Sequence, residues 1–136
     1  LVTAASAVLA AAWVRRAPPQ TPADLARAAL LPLLAFVAFS PVFSPQYTIW
    51  LVGLATLVIS PSSWKLGLAV LAAAALTRLV YPSPGYREGL GLERTLILAG
   101  RNLLLVACWA RLAAEGWWAV RRRTTDDSPA PNLGLS

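Results

Sequence analysis

The segment FSPQYTIWL at residues 43–51 combines polar and aromatic side chains with a proline. Its spacing places Gln46, Tyr47 and Trp50 on one face of a predicted helix, because residues three and four apart are neighbours on a helix surface. An amide, a phenol and an indole on one face suit the binding of a sugar or a lipid headgroup. The alternative is a tight turn followed by an aromatic belt, since Tyr and Trp also favour the membrane interface.

Arg101 is a second candidate for chemistry, because it stands inside an otherwise apolar run. A guanidinium at membrane depth costs roughly 2.5–3.5 kcal/mol on insertion scales, so it should face a partner or a cavity. A helix that starts at Leu92 places Arg101 on the order of 13 Å along its axis. That depth suits a lipid-linked phosphate, whose oxygens pair with arginine in a bidentate way. The alternative is an arginine that snorkels outward or binds a backbone carbonyl within the bundle.

The composition argues against disulfide, metal and cofactor chemistry in this chain. It contains no histidine and a single cysteine, Cys108, so we expect no internal disulfide, no metal site of the Cys/His type and no cofactor. Cys108 lies within an apolar run, where a small buried side chain is the simplest role. Glu88 and Glu93 are the only acidic residues near a predicted outward loop, and we assign neither a catalytic role.

The balance of apolar and charged residues indicates a lipid bilayer. Hydrophobic residues make up 57% of the chain and charged residues 13%, whereas soluble domains carry about a quarter charged residues. A soluble domain of 136 residues buries one modest core, which is too small for this many apolar side chains. The net charge of +6 does not indicate nucleic acid, because the basic residues stand mostly at the ends of apolar runs and form no basic face interleaved with aromatics.

Five apolar segments predict an all-α fold, a polytopic transmembrane helix bundle at residues 1–120 with about five spans. The segments cover residues 1–14, about 28–42, 47–59, 66–81 and about 92–120. A span needs roughly 20 apolar residues, and the shorter segments approach this with their flanks. Thr21 or Asp24 can cap the second helix. Polar residues 121–136 are predicted to form a disordered cytoplasmic tail.

The first segment, residues 1–14, resembles the end of a spanning helix, and the chain contains no methionine. We therefore expect the first span to be truncated and the chain to be the C-terminal piece of a longer protein. A cleaved signal peptide is the alternative explanation for the missing methionine.

Basic residues mark alternate loops of the predicted bundle. They flank the first loop, lie in the third and follow the last helix, as Arg15, Arg16, Arg27, Lys65 and residues 121–123. Because short loops rich in Lys and Arg face the cytoplasm, these regions are predicted to be cytoplasmic and the loops at 40–46 and 82–91 to face outward. We therefore expect the protein to lie in the cell membrane and to cross it several times. Arg111 and Glu115, four residues apart, are predicted to form a structural ion pair near the inner interface.

FSPQYTIWL also resembles the SPQY-aromatic signature near the end of polytopic GT-C glycosyltransferases, especially glycosyltransferase family 87, the polyprenol-phosphate-mannose-dependent mannosyltransferases. LAGRNLLL at residues 98–105 is similar to the Arg-Asn-Leu-Leu run of their last helix. The likeness covers residues 36–109 loosely, and its sharp part is residues 44–50 with the Arg-Asn pair. The substrate-binding residues that it implies, together with the spacing argument above, are Ser44, Gln46, Tyr47, Trp50, Arg101 and Asn102.

The resemblance implies a glycosyltransferase that moves a sugar, expected to be mannose, from a polyprenyl-phosphate donor to a lipid or glycan acceptor at the extracytoplasmic face. Members of the family use an acidic base in an early outward loop, so the catalytic residues are expected upstream of this chain. The expected partners are membrane lipids and the donor. The alternatives are a transporter or channel subunit, in which Arg101 and Gln46 line a path, and a scaffold without chemistry. No internal repeat of the kind common in transporters is visible.

Overall fold

The structure is a computed structural model that describes residues 1–40, 46–59, 63–80 and 91–126. Its α-helices are α1 (Val2–Arg16), α2 (Pro22–Phe39), α3 (Tyr47–Val58), α4 (Trp64–Val80) and α5 (Leu92–Asp126). None of the described residues lies in a strand, which confirms the all-α class. Two of the described helices, α2 and the Leu92–Arg122 part of α5, are long and apolar enough to cross a membrane. The five-span arrangement stays a prediction.

A capping box starts α2 before its apolar stretch begins. The hydroxyl Oγ1 of Thr21 accepts a hydrogen bond from the backbone N–H of Asp24 over 3.2 Å. The Asp24 carboxylate accepts one from the backbone N–H of Thr21 over 3.1 Å. Pro22 follows the cap, at a position where the missing N–H of proline costs nothing. The predicted cap at Thr21 is confirmed, and its reciprocal bonds explain why the helix begins earlier than residue 28.

Helix α5 continues past Val120 to Asp126, so the predicted boundary between bundle and tail was placed too early. Arginine is a good helix former, and cations favour the C-terminal end of a helix because of its dipole. A run of arginines therefore extends an established helix rather than ending it. The remaining part of the predicted tail, residues 127–136, lies outside the described residues.

Helices α1 and α5 run parallel. Near the start of α1, the indole Nε1 of Trp109 donates a hydrogen bond to Oγ of Ser6 over 2.9 Å. At the end of α1, the guanidinium of Arg16 donates to the carbonyl oxygen of Val120 over 3.4 Å. The two partners are 103 residues apart in the first pair and 104 in the second. A constant separation in sequence along both helices means that they run in the same direction.

Helix α2 runs antiparallel to α5, because its two ends contact α5 in reverse order. Arg27, near the start of α2, forms an ion pair with Glu115. Phe39, at the end of α2, meets Trp109 edge to face with ring centroids 5.3 Å apart. Glu115 also accepts a hydrogen bond from Nε of Arg111 over 3.1 Å, which confirms the predicted pair and extends it to a second helix.

The core lies between α2, α3, α4 and α5 and consists of leucine, valine and alanine. Its fully buried side chains include Leu30, Leu31, Leu34, Val58, Val70, Leu105 and Leu112. Cys108 packs in the same cluster, which confirms its expected place as a small buried side chain.

Helices α3 and α4 are in close contact at the end where the chain connects them. A Cβ atom added to Gly67 would lie 3.0 Å from the backbone oxygen of Ala55 and 2.5 Å from Cγ1 of Ile59. The hydroxyl of Ser63 donates to the carbonyl oxygen of Val58 over 2.6 Å. Small residues of this kind let helices approach closely in a bilayer.

Replacing Gly67 with alanine should destabilise the protein by about 1–3 kcal/mol, because the new methyl group collides with the Ile59 side chain and is crowded by the backbone oxygen of Ala55. Gly53→Ala is the matched control on α3, since nothing lies within 4 Å of a Cβ at that position. Both variants gain helix propensity, about 1 kcal/mol, so only the collision differs between them. Thermal unfolding in detergent measures the effect, and equal midpoints for the two variants would contradict the close contact at Gly67.

Candidate functional site

The two ends of the bundle differ in charge. Helices α1, α3 and α5 finish at one end, where α2 and α4 begin, and we call it the basic end. The described basic residues at this end are Arg15, Arg16, Arg27, Lys65, Arg111, Arg121 and Arg122. At the opposite end α3 begins and α4 finishes. The gathering of these residues agrees with the alternation of charged loops in the sequence, while the side of the membrane that each end faces stays a prediction.

The polar and aromatic residues at the start of α3 point towards two different helices. Tyr47 is half-buried and meets Phe36 of α2 edge to face, with ring centroids 5.1 Å apart. Trp50 is 58% exposed, and its ring lies 5.5 Å from that of Tyr47. Gln46 instead lines a groove against α4. The structure thus brings Tyr47 and Trp50 together and turns Gln46 away from them, while Ser44 lies outside the described residues.

Arg101 lies inside the bundle and not on an open surface. Only 4% of the residue is exposed, and it stands one helical turn before the buried Leu105. Its Nε and Nη2 donate to Oδ1 of Asn102 over 3.2 and 2.6 Å. Asn102 itself is exposed. This geometry favours the interpretation of Arg101 as a guanidinium held within the bundle, and phosphate binding by Arg101 and Asn102 stays a prediction.

An open groove of about 570 Å³ runs between α3 and α4. We call it the α3–α4 groove. The groove lies towards the opposite end of the two helices from the close contact at Gly67. Its lining consists of Gln46, Thr48, Ile49, Val52, Leu71, Ala74, Ala75 and Arg78.

The polar groups of the α3–α4 groove all lie at its outer end. Gln46 and Thr48 stand at the start of α3, and Arg78 stands in the last turn of α4. The deeper lining residues, such as Val52 and Leu71, are apolar. A polar mouth above an apolar floor is the shape that binds a molecule with a charged head and a hydrocarbon chain.

Two of these polar groups have no partner among the described residues, but only Arg78 is exposed to a ligand. Thr48 is 8% exposed, and its hydroxyl has no hydrogen-bond partner within the described part of the chain. Arg78 is exposed, and its guanidinium forms neither an ion pair nor a hydrogen bond within the same residues. An exposed guanidinium binds phosphate oxygens through charge-assisted hydrogen bonds. The groove can therefore hold a phosphate at its mouth.

The sequence analysis did not select Thr48 and Arg78, which the structure places in the lining of the α3–α4 groove. Thr48 lies within the SPQYTIW segment, but it stands two residues from Gln46, and residues two apart do not share a helix face. Arg78 is separated from that segment by a whole helix, so its place beside Gln46 depends on how α3 and α4 pack. Among the described residues, no group of three His, Cys, Asp or Glu side chains could hold a metal ion.

No protein-family model matches the chain, and neither a curated protein nor a solved structure matches it. The likeness of FSPQYTIWL and LAGRNLLL to glycosyltransferase motifs is therefore a prediction that these comparisons do not test.

Thr48→Val should stabilise the ligand-free protein by about 1 kcal/mol, because it replaces a buried hydroxyl without a partner by a methyl group of similar size. Thr77→Val is the matched control on α4, where the buried hydroxyl donates to the carbonyl oxygen of Ala73 over 2.9 Å. That variant should lose about 0.5–1.5 kcal/mol. Unfolding midpoints in detergent distinguish the two, and a loss at Thr48 equal to that at Thr77 would show that the Thr48 hydroxyl has a partner.

Proposed function

We propose that the chain is a multi-pass protein of the cell membrane with its basic end in the cytoplasm. Helices α2 and α5 are apolar, yet only 39% of α2 and 22% of the most apolar 18-residue stretch of α5 are buried. Their remaining apolar side chains face outward, where a bilayer would cover them. Trp117 and Trp118 are both 55% exposed near the basic end, as is typical of side chains at a membrane interface.

We propose that all five helices lie in the bilayer. Helix α3 has 12 residues and is about 18 Å long, whereas the hydrocarbon layer is about 30 Å thick. Short helices are tolerated where neighbouring helices cover them. Leu51, Ala55 and Val58 of α3 are all buried in the core, which supports its place within the bundle.

The orientation can be tested with single cysteines in the full-length protein, after Cys108→Ala and removal of any other cysteine. Gln20→Cys lies in the connection between α1 and α2 at the basic end, and Gly91→Cys lies just before α5 at the opposite end. A maleimide that cannot cross membranes should label Gly91→Cys in intact cells. It should label Gln20→Cys only after the cells are permeabilised. The reverse pattern would contradict the proposed orientation.

We propose that this membrane protein is the C-terminal part of a longer glycosyltransferase. It would transfer a sugar, with mannose expected, from a polyprenyl-phosphate donor to a lipid or glycan acceptor at the extracytoplasmic face. The α3–α4 groove is the observation that carries the proposal. Its apolar floor suits an isoprenoid chain, and its mouth is bordered by Gln46 of the SPQY segment. The guanidinium of Arg78, which has no partner among the described residues, suits the phosphate. Arg101, which is buried elsewhere in the bundle, does not line this groove.

The proposed reaction is a direct displacement at the sugar carbon that carries the phosphate. The oxygen of the acceptor hydroxyl forms the new bond, and the polyprenyl phosphate leaves with the electrons of the old one. An acidic residue upstream of this chain takes the proton of the hydroxyl. Negative charge develops on the leaving phosphate, and a guanidinium at the position of Arg78 stabilises that charge.

Arg78→Ala in the full-length protein should raise the KM for the polyprenyl-phosphate donor about tenfold or more, because a charge-assisted bond to phosphate is lost. Arg94→Ala is the control, since Arg94 has the same charge and lies at the same end but does not line the groove. It should leave the KM nearly unchanged. The measurement is sugar transfer in detergent with varied donor. Equal effects of the two variants would mean that the donor does not bind in the α3–α4 groove.

A further inference from the structure

A second cavity lies at the basic end of the bundle, whereas the α3–α4 groove opens at the other end. It has a volume of about 330 Å³ and is lined by Arg16, Trp117, Val120 and Arg121. We call it the α1–α5 cleft. One arginine comes from the last turn of α1 and the other from α5, so the two guanidiniums approach the cleft from different helices.

The chemistry of the cleft is that of an anion site beside an apolar wall. Arginine binds phosphate in a bidentate way, and none of the four lining residues is acidic. Trp117 is 55% exposed, so its ring offers an open apolar surface beside the two cations. Indole rings of this kind lie at the level of lipid headgroups.

Both arginines line the cleft, and each already interacts within the chain. Arg16 donates from Nη1 to the carbonyl oxygen of Val120, and Arg121 has an interaction of its own. A guanidinium carries five N–H donors in a planar fork. The single hydrogen bond of Arg16 therefore leaves most of its fork able to bind phosphate oxygens.

We propose that the α1–α5 cleft binds one anionic phospholipid from the leaflet at the basic end. The phosphodiester lies between Arg16 and Arg121, and one acyl chain packs along Trp117 and Val120. The proposal depends on the placement of the chain in a membrane but not on the glycosyltransferase activity. Basic pockets between membrane helices at this level are suited to anionic headgroups.

The same geometry predicts a preference among phospholipids. Every phospholipid carries a phosphate, but a zwitterionic headgroup would place its ammonium group near two guanidiniums. An anionic headgroup avoids that repulsion. Each arginine near the membrane surface contributes roughly fivefold in affinity for an anionic lipid, so losing either one should weaken binding by about that factor.

The test uses the purified full-length protein, freed of lipid, and native mass spectrometry with added phosphatidylglycerol or phosphatidylcholine. Phosphatidylglycerol should bind as a single tight adduct and phosphatidylcholine more weakly. Arg16→Gln and Arg121→Gln should each reduce phosphatidylglycerol binding about fivefold. Lys65→Gln is the matched control, because it removes one positive charge from the same end at a residue that does not line the cleft.

Several outcomes would overturn the proposal. Equal losses for Lys65→Gln and Arg16→Gln would show a diffuse surface charge, and no preference for phosphatidylglycerol would remove the anion site. Displacement of the lipid by excess inorganic phosphate would show that the acyl chain is not bound. Arg16→Lys retains the positive charge and should keep the preference for phosphatidylglycerol over phosphatidylcholine. This variant therefore tests the proposal even if Arg16→Gln fails to fold.

A second readout uses phosphatidylglycerol with brominated acyl chains, which quench a nearby indole. Quenching should fall in Trp117→Phe far more than in Trp64→Phe, because Trp64 stands at the start of α4 and does not line the cleft. Equal quenching in both variants would contradict binding beside Trp117. Because these assays involve no sugar transfer, lipid binding can succeed or fail independently of donor kinetics at Arg78.

Discussion

The side chain of Trp109 connects three helices, and the packing of α1 and α2 against α5 depends on it. Its indole N–H binds Ser6 of α1, while its ring meets Phe39 of α2. In a bilayer, lipid tails are as apolar as leucine, so helices associate through packing and hydrogen bonds rather than through exclusion of water. A large ring with one donor provides both. It holds α1, which runs parallel to α5, and α2, which runs antiparallel, against the same helix, and these directions decide which helix termini share an end of the bundle.

The distribution of charged side chains between the two ends of the bundle follows from these helix directions. Once α2 is antiparallel to α5, Arg27 stands opposite Glu115 and Arg111, and the three form one network across two helices. An acidic side chain between two basic ones leaves the basic end with an excess of positive charge. A positive end near the cytoplasmic headgroups and an apolar body between the ends are the features that orient a membrane protein.

Local features of this chain could be read from the sequence, and contacts between helices could not. The helices, the cap at Thr21, the Arg111–Glu115 pair and the burial of Cys108 all depend on residues close together in the chain. Periodicity shows that residues three and four apart share a face, but it does not show which neighbouring helix that face meets. Gln46 and Tyr47 illustrate the limit, because they are adjacent in the chain yet contact α4 and α2. Arg101 likewise faces the interior, which depends on the rotation of α5 against its neighbours.

The shortness of α3 has a consequence for the surrounding membrane. If α3 spans as proposed, with its end at the basic end at one boundary of the hydrocarbon layer, its length of about 18 Å would leave the mouth of the α3–α4 groove roughly 12 Å short of the other boundary of a layer about 30 Å thick. Lipids beside this part of the bundle would then have to tilt or compress, and such deformation costs fractions of a kcal/mol for each ångström of mismatch. The resulting depression would let a headgroup descend to Arg78 while its chain stays in hydrocarbon. A thin bilayer at this point would therefore carry water and polar acceptors to a site that remains anchored among lipid tails.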